Sequence, residues 1–324
     1  MAINTKQQHF LQTEDWKLFQ QALGKIVVTR QGDGWSYQAI IGPNPGRIAK
    51  YLKCVFLPYG PTFSDHSSLK NALEDVEQLS RDTKADQIVV EPYLTGQDVD
   101  ISDIMVGLGY SKLKKSRQPE LTLITDLSGP WDEVLLGMSK TNRYQWRYIE
   151  RDQISFQKTH DDQDVDDFAE MMHQTSVRTG ANFPAKSYYQ TMAKTLGKKG
   201  RAGIVYGLYK GKRLVGTLYV DDVIAKRRYY FYAGSYDEMR GIKVALNAAL
   251  VMYLQKDAQD SGMNSLDYFG VAPLSAPTSH HWYGLSKFKR SLGGEDFATL
   301  GSWEKPLNKF KFSLVKKLQQ LIVR

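Results

Sequence analysis

One order of elements is written twice along this chain, and the doubling limits its possible folds more than any single motif does. In the first half, "KIVVTR", "WSYQAII" and "IAKYLKCVFL" read as strands separated by Gly, Asp, Asn and Pro turn signals. A helix follows, with Ser64 or Asp65 as its N-cap and Leu69, Ala72, Leu73, Val76 and Leu79 on one face. Then come the short strand "QIVVEP", a helix around Ile101 to Val106, and the strand "LTLITDL". The second half repeats the pattern. The helix "VDDFAEMMHQTSVR" presents Val165, Phe168, Met171 and Met172 to one side, and the strands "AGIVYGLY", "RLVGTLYV" and "RYYFYAG" follow. A nearly all-apolar helix from Lys243 to Lys256 has to be buried, and "LDYFGV" closes the unit. Meander, helix and strand, twice over, predict two similar α/β (α+β) domains: residues 1–127 completed by 300–324, and residues 128–299.

Composition narrows the class. The 324 residues, 42% hydrophobic and 24% charged, are those of a globular protein with room for two cores. The longest mostly apolar run, "VALNAALVMYL", falls well short of a bilayer span, and "MAINTKQQHF" lacks the apolar core of a signal peptide. The single Cys54 excludes an internal disulfide and a cysteine-based zinc cluster. The expected compartment is the cytoplasm. A net charge of +8 fits a phosphate-bearing partner and equally fits solubility alone.

Several chemistries lack their parts. His280 and His281 are adjacent, so on extended chain they would point apart, and His9, His66, His160 and His173 are isolated; no metal site is expected. No nucleophile elbow, Walker loop or HExxH is present. At the junction "AGSYDEMRGIKVALNAAL", the pyrophosphate loop of acyl-CoA N-acetyltransferases would need a glycine where Lys243 stands. In "RRYYFYAGS", alternation sends Tyr230 and Tyr232 to one face and Tyr229 and Phe231 to the other. "NKFKFSLVKKLQQLIVR" is a cationic amphipathic helix, expected to dock Leu314, Leu318 and Leu321 on a domain, with transient membrane-surface contact as the alternative.

Seven segments in order resemble the Fem family of aminoacyl-tRNA-dependent peptidoglycan transferases. "FLQTEDWKLFQQALG" resembles the family's opening, and "FLPYGP" its Y-x-P-R-G-P, with Phe56 and Tyr59 replacing the tyrosine and the arginine. "SRQPELTLITDLSGPWDEVLLGMSKTNRYQWR" resembles its Q-P-x-x-T-x-x-x-D-L and the helix after it, and "TSVRTG" its E-T-x-x-R-x-G. "YYFYAGS", "LDYFGV" and "GLSKFKRSLGG" follow in the family's order, the last resembling G-L-Y-x-F-K-x-x-F-G-G. The resemblance implies two acetyltransferase-like (GNAT-like) domains in tandem. No long heptad segment interrupts residues 127–200, so the chain resembles the compact members that lack a coiled-coil arm.

The resemblance also implies a reaction. Family members move an amino acid from a charged tRNA to an amine on the peptide stem of a muramyl-peptide precursor, UDP-linked or lipid-linked, with no cofactor. It implies Lys289, Phe288 and Tyr232 as catalytic residues, with Lys289 offsetting the oxyanion. It implies Glu91, Tyr59, Arg178 and Tyr230 as substrate-binding residues, Arg178 through bidentate contacts to a diphosphate. Lys198, Lys199, Arg201, Lys210, Lys212 and Arg213 would meet tRNA phosphates or merely keep the protein soluble. A monomer is expected. Two alternatives stand beside this one: an acyl-CoA-dependent N-acyltransferase of the same fold, and a tRNA- or envelope-precursor-binding protein without catalysis.

Overall fold

The computed structural model describes residues 9–94, 99–149 and 151–322. The chain divides into two units, Met1–Glu120 with Ala298–Arg324, and Leu121–Phe297, each built on one seven-stranded sheet.

The first unit contains α1 (Glu14–Ala22), β1 (Ile26–Gly32), β2 (Trp35–Pro43), β3 (Lys53–Leu57), β4 (Thr62–Phe63), α2 (His66–Asp82), β5 (Gln87–Val90), α3 (Val99–Gly107) and β6 (Ser111–Lys112). Its sheet runs β1-β2-β3-β5, with β4 paired to β2, and is completed from the distant end of the chain by β14 (Trp303–Pro306), which lies between β5 and β6. Asp65 caps α2: its Oδ1 accepts from Ser68 N at 2.8 Å while Ser68 Oγ accepts from Asp65 N at 2.9 Å. Leu69, Ala72, Leu73, Val76 and Leu79 all enter the core, as their spacing predicts. The last helix, α10 (Lys309–Ile322), departs from expectation. Val315 is the residue it buries, while Leu314, Leu318 and Leu321 face solvent. Among the described residues, no helix is long and apolar enough to cross a membrane.

The second unit begins one strand earlier than the sequence implied. β7 (Leu121–Asp126), assigned above to the first domain, pairs with β12 (Ser265–Gly270) in the register Leu266↔Thr125. After β7 come α4 (Trp131–Leu136), α5 (Lys140–Arg147), β8 (Ile154–Thr159), α6 (Val165–Thr179), α7 (Lys186–Thr195), β9 (Ala202–Tyr209), β10 (Lys212–Asp222) and β11 (Arg227–Ser235). Helix α8 (Leu246–Asp260) precedes β12, and α9 (Tyr283–Ser291) and β13 (Glu295–Ala298) follow it. The sheet order is β13-β7-β12-β11-β10-β9-β8. The apolar helix α8 starts at Leu246 rather than Lys243 and packs Leu250, Val251 and Leu254 into the core.

Two local features of this sheet create the site. β11 and β12 run parallel only over Arg227↔Ser265, Arg228↔Leu266 and Tyr229↔Asp267; beyond Tyr229 the pairing stops. The register between β10 and β11 also shifts, from Leu218↔Tyr232 to Tyr219↔Tyr230, so Phe231 is an extra, bulged residue. A bulge inverts alternation. Tyr230 and Tyr232, expected on one face, therefore lie on opposite faces of the sheet.

Candidate active site

Where β11 parts from β12, a cavity of about 640 Å³ opens within the second unit. Its walls come from the free end of β11 (Tyr230, Ala233, Ser235), the first turn of α8 (Leu246, Asn247) and α9 (Leu285, Phe288), with Arg178 and Arg240 adding positive charge. Gly234 sets how closely α6 covers β11, since a Cβ there would lie 2.9 Å from the backbone of Met171. That approach lets Thr175 Oγ1 accept from Ser235 N at 3.1 Å. One turn on, Arg178 donates to Asp237 Oδ1 at 2.6 Å, to Ser235 Oγ at 2.9 Å and to Thr175 Oγ1 at 3.0 Å. The guanidinium is thus fixed at the cavity wall before any ligand arrives.

The run "KFKR" on α9 resolves into four different environments. Lys287 is exposed. Phe288 lines the cavity. Arg290 donates to the Asp296 carboxylate at 2.7 and 2.9 Å and to Ala272 O at 2.8 Å. Lys289, about 100° further round the helix than Phe288, is only 5% exposed and donates from Nζ to Gly270 O at 2.8 Å. Together with Ser286 Oγ, which accepts from Ala272 N at 2.7 Å, these side chains tie α9 to the chain leaving β12. The helix then turns through Gly293 and Gly294, at φ +92° and +103°, where a Cβ on Gly294 would meet Ile124 O at 2.9 Å.

Lys289 shares its burial with one carboxylate, Asp267, on β12. Desolvation lowers the Lys289 pKa to about 8, against the opposing pull of the Asp267 charge. Desolvation likewise raises Asp267 to about 6, although Arg227, the Phe269 amide and Lys289 all favour its ionised form. Asp267 Oδ1 accepts from Phe269 N at 2.7 Å, holding Phe269 in the left-handed region at φ 57°. Gly270 ends β12 beyond the last pair with β11, so the ammonium is held by the end of that strand, and Lys289 itself is not among the residues lining the cavity.

The other residues singled out from sequence are distributed elsewhere. Tyr230 lines the cavity, with its phenol pKa raised by burial. Tyr232 sits on the opposite face in a cluster with Phe183, Tyr188 and Tyr189, ring centroids 5.7–6.4 Å away, and its pKa is raised by burial. Glu91 and Tyr59 belong to the first unit and are 1% and 2% exposed. Glu91 Oε1 accepts from Ser302 Oγ and from Gln118 N, joining three chain segments; burial raises its pKa. Tyr59 donates to Pro119 O at 2.8 Å and packs on His9 and Tyr93. Of the six hairpin and turn cations, Lys212 is bound to Glu238, and Arg213 to Asp164 and Asp167. His280 and His281 sit in a turn with rings stacked at 4.6 Å rather than pointing apart. Sequence reading missed Asp267 as part of this region, and it weighed the start of α8 only as a pyrophosphate loop that lacks its glycine. The aspartate lay in the quoted "LDYFGV", but nothing in its spacing marked it.

The two units are acetyltransferase-like domains in tandem, and no coiled-coil arm is present among the described residues. Residues 138–290 match the family model for the acetyltransferase (GNAT) domain. The chain is similar to the crystal structure of FemX, with a TM-score of 0.81 at 18% identity, covering 97% of this chain and 98% of that one. It is also similar to L-PGS from Bacillus licheniformis (TM-score 0.56, 13% identity, 96% of each chain). A third similar structure is a tandem GNAT protein from the clavulanic acid biosynthesis pathway (TM-score 0.53, 12% identity, 87% of this chain and 83% of that one). No curated protein matches the sequence.

Proposed function

We propose that the chain is a Fem-type aminoacyltransferase that moves an amino acid from aminoacyl-tRNA to an amine on the peptide stem of a peptidoglycan precursor. The observation that carries this reading is Lys289, a lysine withheld from water and bonded to the end of β12, next in sequence to a cavity-lining phenylalanine. Burying an ammonium with one carbonyl and one shared carboxylate destabilises the fold, and such sites concentrate where the charge has chemical use. The seven motifs in family order and the FemX-like fold over almost the whole chain support the same reading.

An aminoacyl ester is already activated. The acceptor amine attacks its carbonyl carbon, the C–N bond forms, and an oxyanion develops. Collapse breaks the C–O bond, the amine loses a proton, and the departing ribose oxygen gains one. In this reading the Lys289 ammonium, with a pKa of about 8, turns from Gly270 O to the oxyanion, gives its proton to the leaving oxygen and takes back the proton that the attacking amine loses, so the ammonium is restored. Phe288 and Tyr230 pack against the reacting end, and Arg178 and Arg240 take a phosphate. Tyr232 supports the opposite face, and Glu91 and Tyr59 hold the first unit together.

Incubation with labelled aminoacyl-tRNA and a muramyl-peptide precursor should transfer label to the peptide in an RNase-sensitive manner. Lys289→Met should fold and lose about a hundred- to thousandfold in turnover. Absence of transfer with every amino acid and every precursor form overturns the reading, and so does charged tRNA that binds but is never discharged. A second reading rests on a different observation: the first turn of α8 lines the cavity, as a helix N-terminus that binds an acyl-CoA pyrophosphate would. Thermal stabilisation by CoA, with acetyl transfer to a peptide amine, would favour it.

A further inference from the structure

The two long faces of α10 have different fates. The inner face is fixed to the first unit: Val315 is 4% exposed, Lys311 Nζ donates to Asp86 Oδ2 at 2.6 Å, and Lys316 Nζ lies 3.4 Å from Glu304 Oε1. The outer face carries Phe310, Leu314, Leu318 and Leu321, which are 84, 49, 41 and 68% exposed. At 3.6 residues per turn these four fall within a sector of about 80°. Lys317 flanks that sector, about 20° beyond its edge; the helix sequence "KFKFSLVKKLQQLI" contains no carboxylate. The turn Ala49–Tyr51 packs against α10 and adds an exposed tyrosine, Tyr51, with the Lys50 ammonium 5.6 Å from its ring.

We propose that the outer face of α10 lies on a bilayer containing anionic phospholipid, with its four apolar side chains at the boundary between headgroups and acyl chains. The helix is already anchored by its inner face, so the apolar stripe is not waiting for the unit's own core. A second copy of the chain would bring two carboxylate-free, lysine-bearing helices together. A nucleic acid would satisfy the lysines and leave four large apolar side chains in water. An anionic lipid surface satisfies both, since apolar insertion and cation attraction act together there. The inference concerns the first unit and stands independently of the reading of the cavity.

Flotation of the full chain with vesicles tests it. Binding to phosphatidylcholine vesicles containing phosphatidylglycerol should exceed binding to phosphatidylcholine alone by at least about tenfold and fall with added salt. The triple variant F310S/L314S/L321S should lose at least about tenfold in binding while keeping the wild-type circular dichroism spectrum, because these side chains touch no core. Lys317→Glu should weaken binding to the anionic vesicles as well. Three outcomes overturn the proposal. One is no binding to anionic vesicles, and another is unchanged binding by the triple variant. The third is a wild-type dimer that the triple variant converts to monomer, which would assign the stripe to self-association.

Discussion

Arg228 and Lys289 are both buried cations of the second unit, 0% and 5% exposed, and the unit treats them in opposite ways. Arg228 Nε and Nη2 donate to the two oxygens of Asp221 at 2.7 and 2.8 Å, and Nη1 donates to Asp257. Lys158 closes the network on Asp257 at 2.8 Å, and the guanidinium carbon lies 3.9 Å from the centre of the Tyr219 ring. Burial alone would lower the pKa of Arg228, but the bonds and charge of Asp221 and Asp257 outweigh it, and the net shift is upward. Lys289 has one carbonyl and the field of Asp267, too little to offset burial, and its pKa falls to about 8. Burial therefore does not decide whether a charge is inert. What decides is how many of its donors find carboxylate partners.

The largest effect that sharpens this contrast is on stability. Arg228→Met would strand two carboxylates, Asp221 and Asp257, and leave Lys158 to answer Asp257. Breaking a buried ion network from one side costs about 3–5 kcal/mol, and urea denaturation should show a loss of that size. A loss below about 1 kcal/mol would mean that the network is not what secures β11 to α8, and the contrast would break.

Lys289→Met should behave differently, within about 1 kcal/mol of wild type at neutral pH, because the side chain removed was itself poorly accommodated. The pH dependence gives a sharper readout. The lysine titrates near its ordinary 10.5 when unfolded and at about 8 when folded. Below that window both states hold the proton, and the cost of burial is constant. Between about 8 and 10.5 the unfolded chain binds a proton that the folded chain has released, so stability should rise with pH. Urea midpoints measured across this range should show the rise in the wild type and not in Lys289→Met. An equal slope in both would remove Lys289 from its assigned state.

How much of this was legible in the sequence depended on whether the signal was periodic. The face of α2 and the inward set of α6 follow from spacing, each a hydrophobic stripe repeated over several turns, and the burial of α8 follows from its nearly all-apolar run. The bulge at Phe231 was not legible, since an extra residue leaves the apolar pattern of "RRYYFYAGS" intact while inverting which tyrosine meets the cavity. The allegiance of Leu121–Asp126 was hidden for a similar reason: a strand's composition does not name its partner. On α10, leucines at helical spacing matched a docking face, yet Val315 with the two lysine tethers supplied the docking instead. Lys289 and Phe288 were reached through motif resemblance, and Asp267 was not, because a lone carboxylate in a strand carries no spacing that marks its neighbour.

The smallest expected effect isolates that aspartate. Asp267 is a positioning residue in the proposed reaction: its charge raises the pKa of Lys289, which desolvation otherwise lowers. Asp267→Asn keeps an oxygen for the Phe269 amide, now accepted at 2.7 Å, so the turn at Phe269 should survive. Without the carboxylate, burial acts on Lys289 unopposed and its pKa falls further below about 8. The alkaline limb of kcat/KM, which reports this ammonium in the free enzyme, should therefore move to lower pH. Well below the limb, turnover should stay within a few-fold of wild type, because the ammonium is present in both proteins. An Asn variant whose limb stays in place, in a protein that Lys289→Met inactivates, would separate the two residues and leave Asp267 with only the turn to hold.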